Sequence, residues 1–342
     1  MLSSQINSTQ NNNTIQRLTA LWALSESGIG GMMFALKIPL TGFFVGGFAV
    51  IMLGLIAHFS NNKFKEILQS TVIVLMVKAT VSPHSPPPAY IAVAFQGCIA
   101  ALFFSNISSH KIASILLGII SMAESAVQKI IILTILFGKK LWDAVDALFL
   151  QISKEFFITM YKDYSLWLVC IYILIYIFWG AIIGKWAARI PKYINEKKET
   201  VLIKYNAINK NELVLKSSNK QNKKAKGLIL FSAILLFIIS IFLLSGAGSK
   251  TVLFILGRSI AALLLIYYVL KPAILWLLQK WLSKRPDAQK EAVEEIITLL
   301  PQLKTFAGAA FTMAENEQNF FKRLRKFILY LITLSLYAEQ PK

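Results

Sequence analysis

Five ionisable side chains stand inside apolar runs of this chain: Glu26, Lys78, Glu124, Lys129 and Arg258. A charge at the centre of a membrane helix costs about 2.5–3.5 kcal/mol on insertion scales, so each must face protein or water. Gln96 and Gln128 add amide groups at a similar depth, and Ser121, Glu124 and Gln128 fall on one helical stripe with Lys129 beside it. Carboxylate, ammonium and amide groups in such surroundings suit the holding of a polar ligand. The alternative is mutual neutralisation, Glu124 with Lys78 or Glu26 with Arg258. Bond-making chemistry has little to draw on. No nucleophile stands beside a base, and the chain has no P-loop, G-x-S-x-G, H-E-x-x-H or strand-borne G-x-G-x-x-G. Its three histidines lack cysteine or carboxylate neighbours at ligand spacing. The expectation is a binding protein, not an enzyme, with no cofactor and no metal.

The element that must position these groups is the stretch from Lys78 to Gly97. Pro83, Pro86, Pro87 and Pro88 fix φ and remove backbone donors, so one helix cannot run through them. Residues that precede proline are pushed toward extended geometry. The predicted result is a stiff connector with Ser82, His84 and Ser85 at its tip. It would cap a pocket in the outer half of a helical bundle, formed by Lys78, Ser82, His84, Gln96, Glu124, Gln128 and Lys129.

The composition supports a bundle in a lipid bilayer. Apolar residues make up 56% of the 342 and charged residues 15%. Several apolar runs approach the roughly 20 residues that cross a membrane. The net charge of +19 would suggest nucleic acid in a soluble domain. Here the positive residues gather between spans, as the positive-inside rule describes, and no nucleic-acid partner is expected. Cys98 and Cys170 both lie in apolar segments, so no disulfide framework is expected.

The expected fold is an all-α polytopic membrane protein, with a six-helix transmembrane bundle, a two-helix hairpin and cytoplasmic C-terminal helices. Residues 1–16 are polar and uncharged, and read as a mobile tail. Residues 17–190 hold the six spans. The first runs from about Ile15 to Ile38, and the others are centred in 41–59, 67–81, 89–104, 112–137 and 166–183. Residues 139–165 mix charges with apolar and aromatic residues and read as an interfacial amphipathic helix. Residues 191–226 form a basic linker, 227–285 a transmembrane hairpin and 286–342 cytoplasmic or interfacial helices. The linker belongs in the cytoplasm. Counting back from it places the N-terminus inside and the proline connector outside. On the first span Ala20, Ala23, Ser27 and Gly31 lie at offsets of three and four, a small-residue face that allows close approach of another helix, within the chain or from a partner.

Six spans, that small-residue face and polar groups on three external connections together resemble the substrate-binding (S) component of energy-coupling factor transporters. The resemblance covers about residues 15–190. It implies that Ala20, Ala23, Ser27 and Gly31 contact a transmembrane coupling subunit. It also implies that Lys37–Thr41, Ser82–Pro88 and Lys139–Ser165 close over a micronutrient, with ATPases supplied by other chains. Residues 227–342 would then be a partner-docking extension. Two other functions fit the sequence: a non-transporting scaffold of an envelope complex, and a membrane accessory subunit of an isoprenoid-synthesising enzyme.

Overall fold

The computed structural model describes residues 2–35, 41–82, 85–155, 164–207, 288–315 and 317–338, with seven scattered positions between 264 and 276. The described residues are helical throughout and contain no strand. Helix α1 (Leu2–Leu24) runs through a π-helical turn (Ser25–Ile29) into α2 (Gly30–Ala35). Then follow α3 (Thr41–Phe59), α4 (Lys63–Val81), α5 (Pro87–Asn106), α6 (His110–Phe137), α7 (Lys139–Glu155), α8 (Tyr164–Ala187) and α9 (Ile190–Ala207). Two further helices, α10 (Ala288–Ala314) and α11 (Phe320–Tyr337), end the described chain.

Helix boundaries follow local chemistry. Asn62 caps α4 by accepting from Lys65 N–H, and Glu66 reaches back to accept from Asn62 N–H. Gly138 ends α6 with φ 71°, a conformation that glycine adopts without strain. Pro87 and Pro88 open α5, where the missing N–H groups would have had no intrahelical partner. Asp146 of α7 accepts from both Ser165 N–H and Ser165 Oγ, which holds α7 against the start of α8. Helix α1 begins at Leu2, so the stretch expected to be a tail carries helix instead. Once the apolar part has nucleated a helix, each added residue gains a hydrogen bond, and polar residues can continue it.

Five described helices are long and apolar enough to cross a membrane: Thr41–Phe59, Pro87–Asn106, His110–Phe137, Tyr164–Ala187 and the Glu291–Ala314 part of α10. Outward faces separate them. On α5, α6 and α8 the exposed residues include Ile91, Leu102, Val127, Ile131, Leu168, Ile171, Leu174 and Phe178, a surface suited to lipid. Helix α10 buries Val293, Ile296, Leu300, Leu303, Phe306, Ala310 and Met313 on one stripe, while Glu291, Glu294, Glu295, Thr298, Lys304 and Thr305 face outward. That is the pattern of an amphipathic helix with one face docked on protein. Conversely α1 and α4 are too polar to count as spans by composition, yet both pack inside the bundle, against each other and against α3.

Helices α10 and α11 form an antiparallel pair that rests on α1, α4 and α9. Gln16 donates to Glu295, Arg17 donates to the carbonyls of Ser335 and Leu336, and Lys204 donates to the carbonyl of Met313. Lys326 closes the corner through an ion pair with Glu317. Residues 208–263 lie outside the described residues, and with them most of the expected basic linker and the first span of the expected hairpin.

Glycines set the closest approaches. Gly180 and Gly184 of α8 meet Gly118 and Ser114 of α6 backbone to backbone. A Cβ on Gly118 would stand 2.2 Å from the Gly180 carbonyl oxygen, and one on Gly184 would stand 2.5 Å from the Ser114 carbonyl oxygen. Between α4 and α5, Thr71 fills the space that a side chain on Gly97 would need.

Candidate functional site

The contacts fix the relative depth of the polar groups. At the connector, Ser82 and Ser85 share a hydroxyl–hydroxyl hydrogen bond of 2.9 Å, and Ser85 N–H donates to the Ser82 carbonyl. Ser82 also lies against Gly31 of α2. One step inward, Gln128 of α6 donates to the Pro88 carbonyl at 2.9 Å. The next carbonyl, of Ala89, takes a long 3.5 Å contact from Lys78 Nζ. Lys78 and Gln128 therefore converge on the first turn of α5 from opposite sides.

Lys78 forms its main contact with Glu26, at 2.7 Å, and both side chains are buried. The expected partners differ: Lys78 pairs with Glu26 and not with Glu124, and Arg258 lies outside the described residues. Residues 18–27 are buried on every side, so Glu26 must find its partner within the bundle. The small residues of the first span also differ in surroundings. Ala20, Ala23 and Ser27 are buried in the bundle, whereas Gly31 is turned to the connector. The face expected to meet a partner helix is thus split, and its main part is covered by the chain's own helices.

Seven residues below Ala89, about 10 Å along α5, Gln96 is 2% exposed. Its Nε2 lies 3.2 Å from where a Cβ on Gly46 would be, and the same point is 3.0 Å from Met122 Cε and 3.7 Å from Ser125 Oγ. Gly42, one turn outward, faces Ser125. Helices α3, α5 and α6 thus meet at Gly42 and Gly46, Gln96, and Met122 and Ser125. Ser121, Glu124 and Gln128 share a stripe of α6 at offsets of three and seven, so Glu124 lies between the Gln96 level and the Pro88 contact. Three buried polar atoms here have no hydrogen-bond partner: Gln96 Oε1, Ser121 Oγ and Glu124 Oε2. Buried polar groups are satisfied in the great majority of cases, so three at one junction need an explanation.

Among the expected ligand residues, Lys78, Ser82, Gln96, Glu124 and Gln128 lie along this column. His84 is outside the described residues. Lys129 departs from the expectation: it is exposed on α6, since it is turned about 100° from Gln128. A cavity of about 240 Å³ lies elsewhere, between the outer ends of α6, α7 and α8. It is lined by Ile130, Thr134, Trp142, Ser165, Leu166 and Val169, and none of the expected site residues reaches it.

Sequence reasoning missed Glu26 as the partner of Lys78, Ser125 as a neighbour of Gln96, and the α6–α8 contact. The last had a visible signal, the G-x-x-x-G spacing of Gly180 and Gly184 in an apolar run. No group of three or more metal-ligating side chains occurs among the described residues. No family model, curated protein or solved structure matches the chain.

Proposed function

We propose that this chain is the membrane-embedded binding subunit of an uptake system for a small molecule. In this reading it is a multi-pass protein of the bacterial cytoplasmic membrane, with α1/α2, α3, α4, α5, α6 and α8 as the six spans and the N-terminus inside. The ligand arrives from outside past the Ser82–Pro88 connector and is held by the column from Gln128 to Gln96. A transmembrane coupling subunit and ATPases are separate chains, because this one carries no nucleotide-binding motif. The observation that supports the reading best is the trio Gln96 Oε1, Ser121 Oγ and Glu124 Oε2, buried and unpartnered below a connector tied to both α4 and α6.

A second reading, a non-transporting membrane scaffold, is favoured by a different observation. Ala20 and Ala23 are fully buried within the chain, and α10 and α11 pack on α1, so the face that would meet a coupling subunit is occupied. One experiment separates the two. The protein is purified from its native membrane, and both its copurifying chains and its retained small molecules are identified by mass spectrometry. The uptake reading expects an ATPase pair and a retained compound that is lost in Gln96→Leu. An envelope assembly with no retained compound would replace it with the scaffold.

A further inference from the structure

Two of the column's nitrogen groups are engaged. Lys78 Nζ is engaged by Glu26 and the Ala89 carbonyl, and Gln128 Nε2 by the Pro88 carbonyl. What remains is Gln96 Oε1 and Glu124 Oε2, which accept, Ser121 Oγ, which can do either, and the Gln96 amide nitrogen beside Gly46, which donates. The charge count agrees. Glu26 and Lys78 neutralise each other, and Lys129 is turned outward. Among the described residues no cation lies within ion-pair distance of Glu124. A carboxylate in a helical bundle with no partner is stabilised by a positive charge or a strong donor, and otherwise takes up a proton. Gly42 and Gly46 keep α3 thin at this level, where the flexible end of Met122 and the Gln96 amide already fill the space beside Gly46.

From this geometry we infer that the ligand carries a protonated nitrogen with N–H donors, an organic cation whose nitrogen sits between Glu124, Gln96 and Ser121. The inference rests on the binding reading above.

The test uses the full-length protein in lipid nanodiscs, with benzylammonium as probe and benzoate and benzyl alcohol as matched anionic and neutral controls at equal ionic strength. Benzylammonium should raise the unfolding temperature saturably, and the two controls should not. Hydrogen bonds to a charged group are the stronger ones, so Glu124→Gln should weaken the benzylammonium affinity by about ten- to a hundredfold. Ser121→Ala removes only an unpartnered hydroxyl, and serves if Glu124→Gln does not fold; it should weaken affinity by about fivefold. Lys129→Gln should leave it unchanged. Stabilisation by benzoate, or a benzylammonium effect equal in the parent and the available site variant, overturns the inference. A retained native compound without a basic nitrogen sinks the cation inference and leaves the binding reading standing. No retained compound and no probe binding sinks both.

Discussion

At the scale of single residues, Glu26 and Lys78 are the most tightly constrained pair in the bundle. Their contact of 2.7 Å is buried on both sides, and the Tyr90 ring lies 5.8 Å from Lys78 Nζ. Removing one member of a buried pair strands the other and costs about 3–5 kcal/mol, whereas removing both is often close to neutral. Lys78→Met and Glu26→Gln should therefore each lower the unfolding temperature sharply, and the double variant should recover most of the loss. Thermal unfolding of the three variants in nanodiscs measures this. Recovery in the double variant would mark the pair as structural, and it would leave Glu124 and Gln96 to hold the ligand. A double variant as unstable as the worse single one would mean that one of the two charges has another essential partner. The sequence placed both charges inside spans and placed Ser121, Glu124 and Gln128 on one stripe, because both inferences need only helical periodicity. It did not reveal which acid meets which base. That depends on which helices pack side by side, and helical periodicity does not give it.

At the scale of elements, the glycines decide how closely helices approach. The α6–α8 contact leaves no room for a methyl group, since a Cβ on Gly118 or Gly180 would stand 2.2–2.3 Å from a facing carbonyl oxygen. Gly118→Ala should force the helices apart and destabilise the bundle by about 1–3 kcal/mol, the usual range for overpacking. Gly308 provides the opposite case. It lies on the exposed face of α10, and an added Cβ meets nothing within 4 Å. Gly308→Ala should stabilise the protein by about 0.5–1 kcal/mol, through helix propensity alone. Unfolding midpoints of the two variants should move in opposite directions. Equal behaviour would mean that α6 and α8 can separate without loss. The order and bounds of most helices were legible from apolar runs, prolines and caps. The packing role of α10 was less so, because composition alone makes it long and apolar enough to span. Its pattern of burial, with Glu291, Glu294 and Glu295 outward, shows one face packed on protein and a polar face turned away from it.

At the scale of the whole molecule, the ends of the bundle differ in charge. Lys63, Lys65, Lys111, Lys185 and Arg189 lie at the end where α3 meets α4, α5 meets α6, and α8 meets α9. The connector Ser82–Pro88 and the start of α3 lie at the other, as do Lys139 and Lys140 at the start of α7, which run against the asymmetry. The proposed orientation, which rests on the positive-inside rule, has the first end in the cytoplasm and the connector outside. Single cysteines at His84, Lys204 and Lys220, in a background with Cys98 and Cys170 changed to alanine, should report this to an impermeant thiol reagent. In intact cells only His84→Cys should react, and all three should react once the membrane is opened. Labelling of Lys204→Cys and Lys220→Cys in intact cells would invert the molecule, so that the column would open toward the cytoplasm and could not receive a ligand from outside. A fourth cysteine, Thr298→Cys, tests α10 in the same assay. It sits midway along the outward polar face and should be silent in intact cells and reactive in opened membranes. If it stays silent in both, α10 crosses the bilayer despite its glutamates, and the acidic face must be covered by a partner within the membrane.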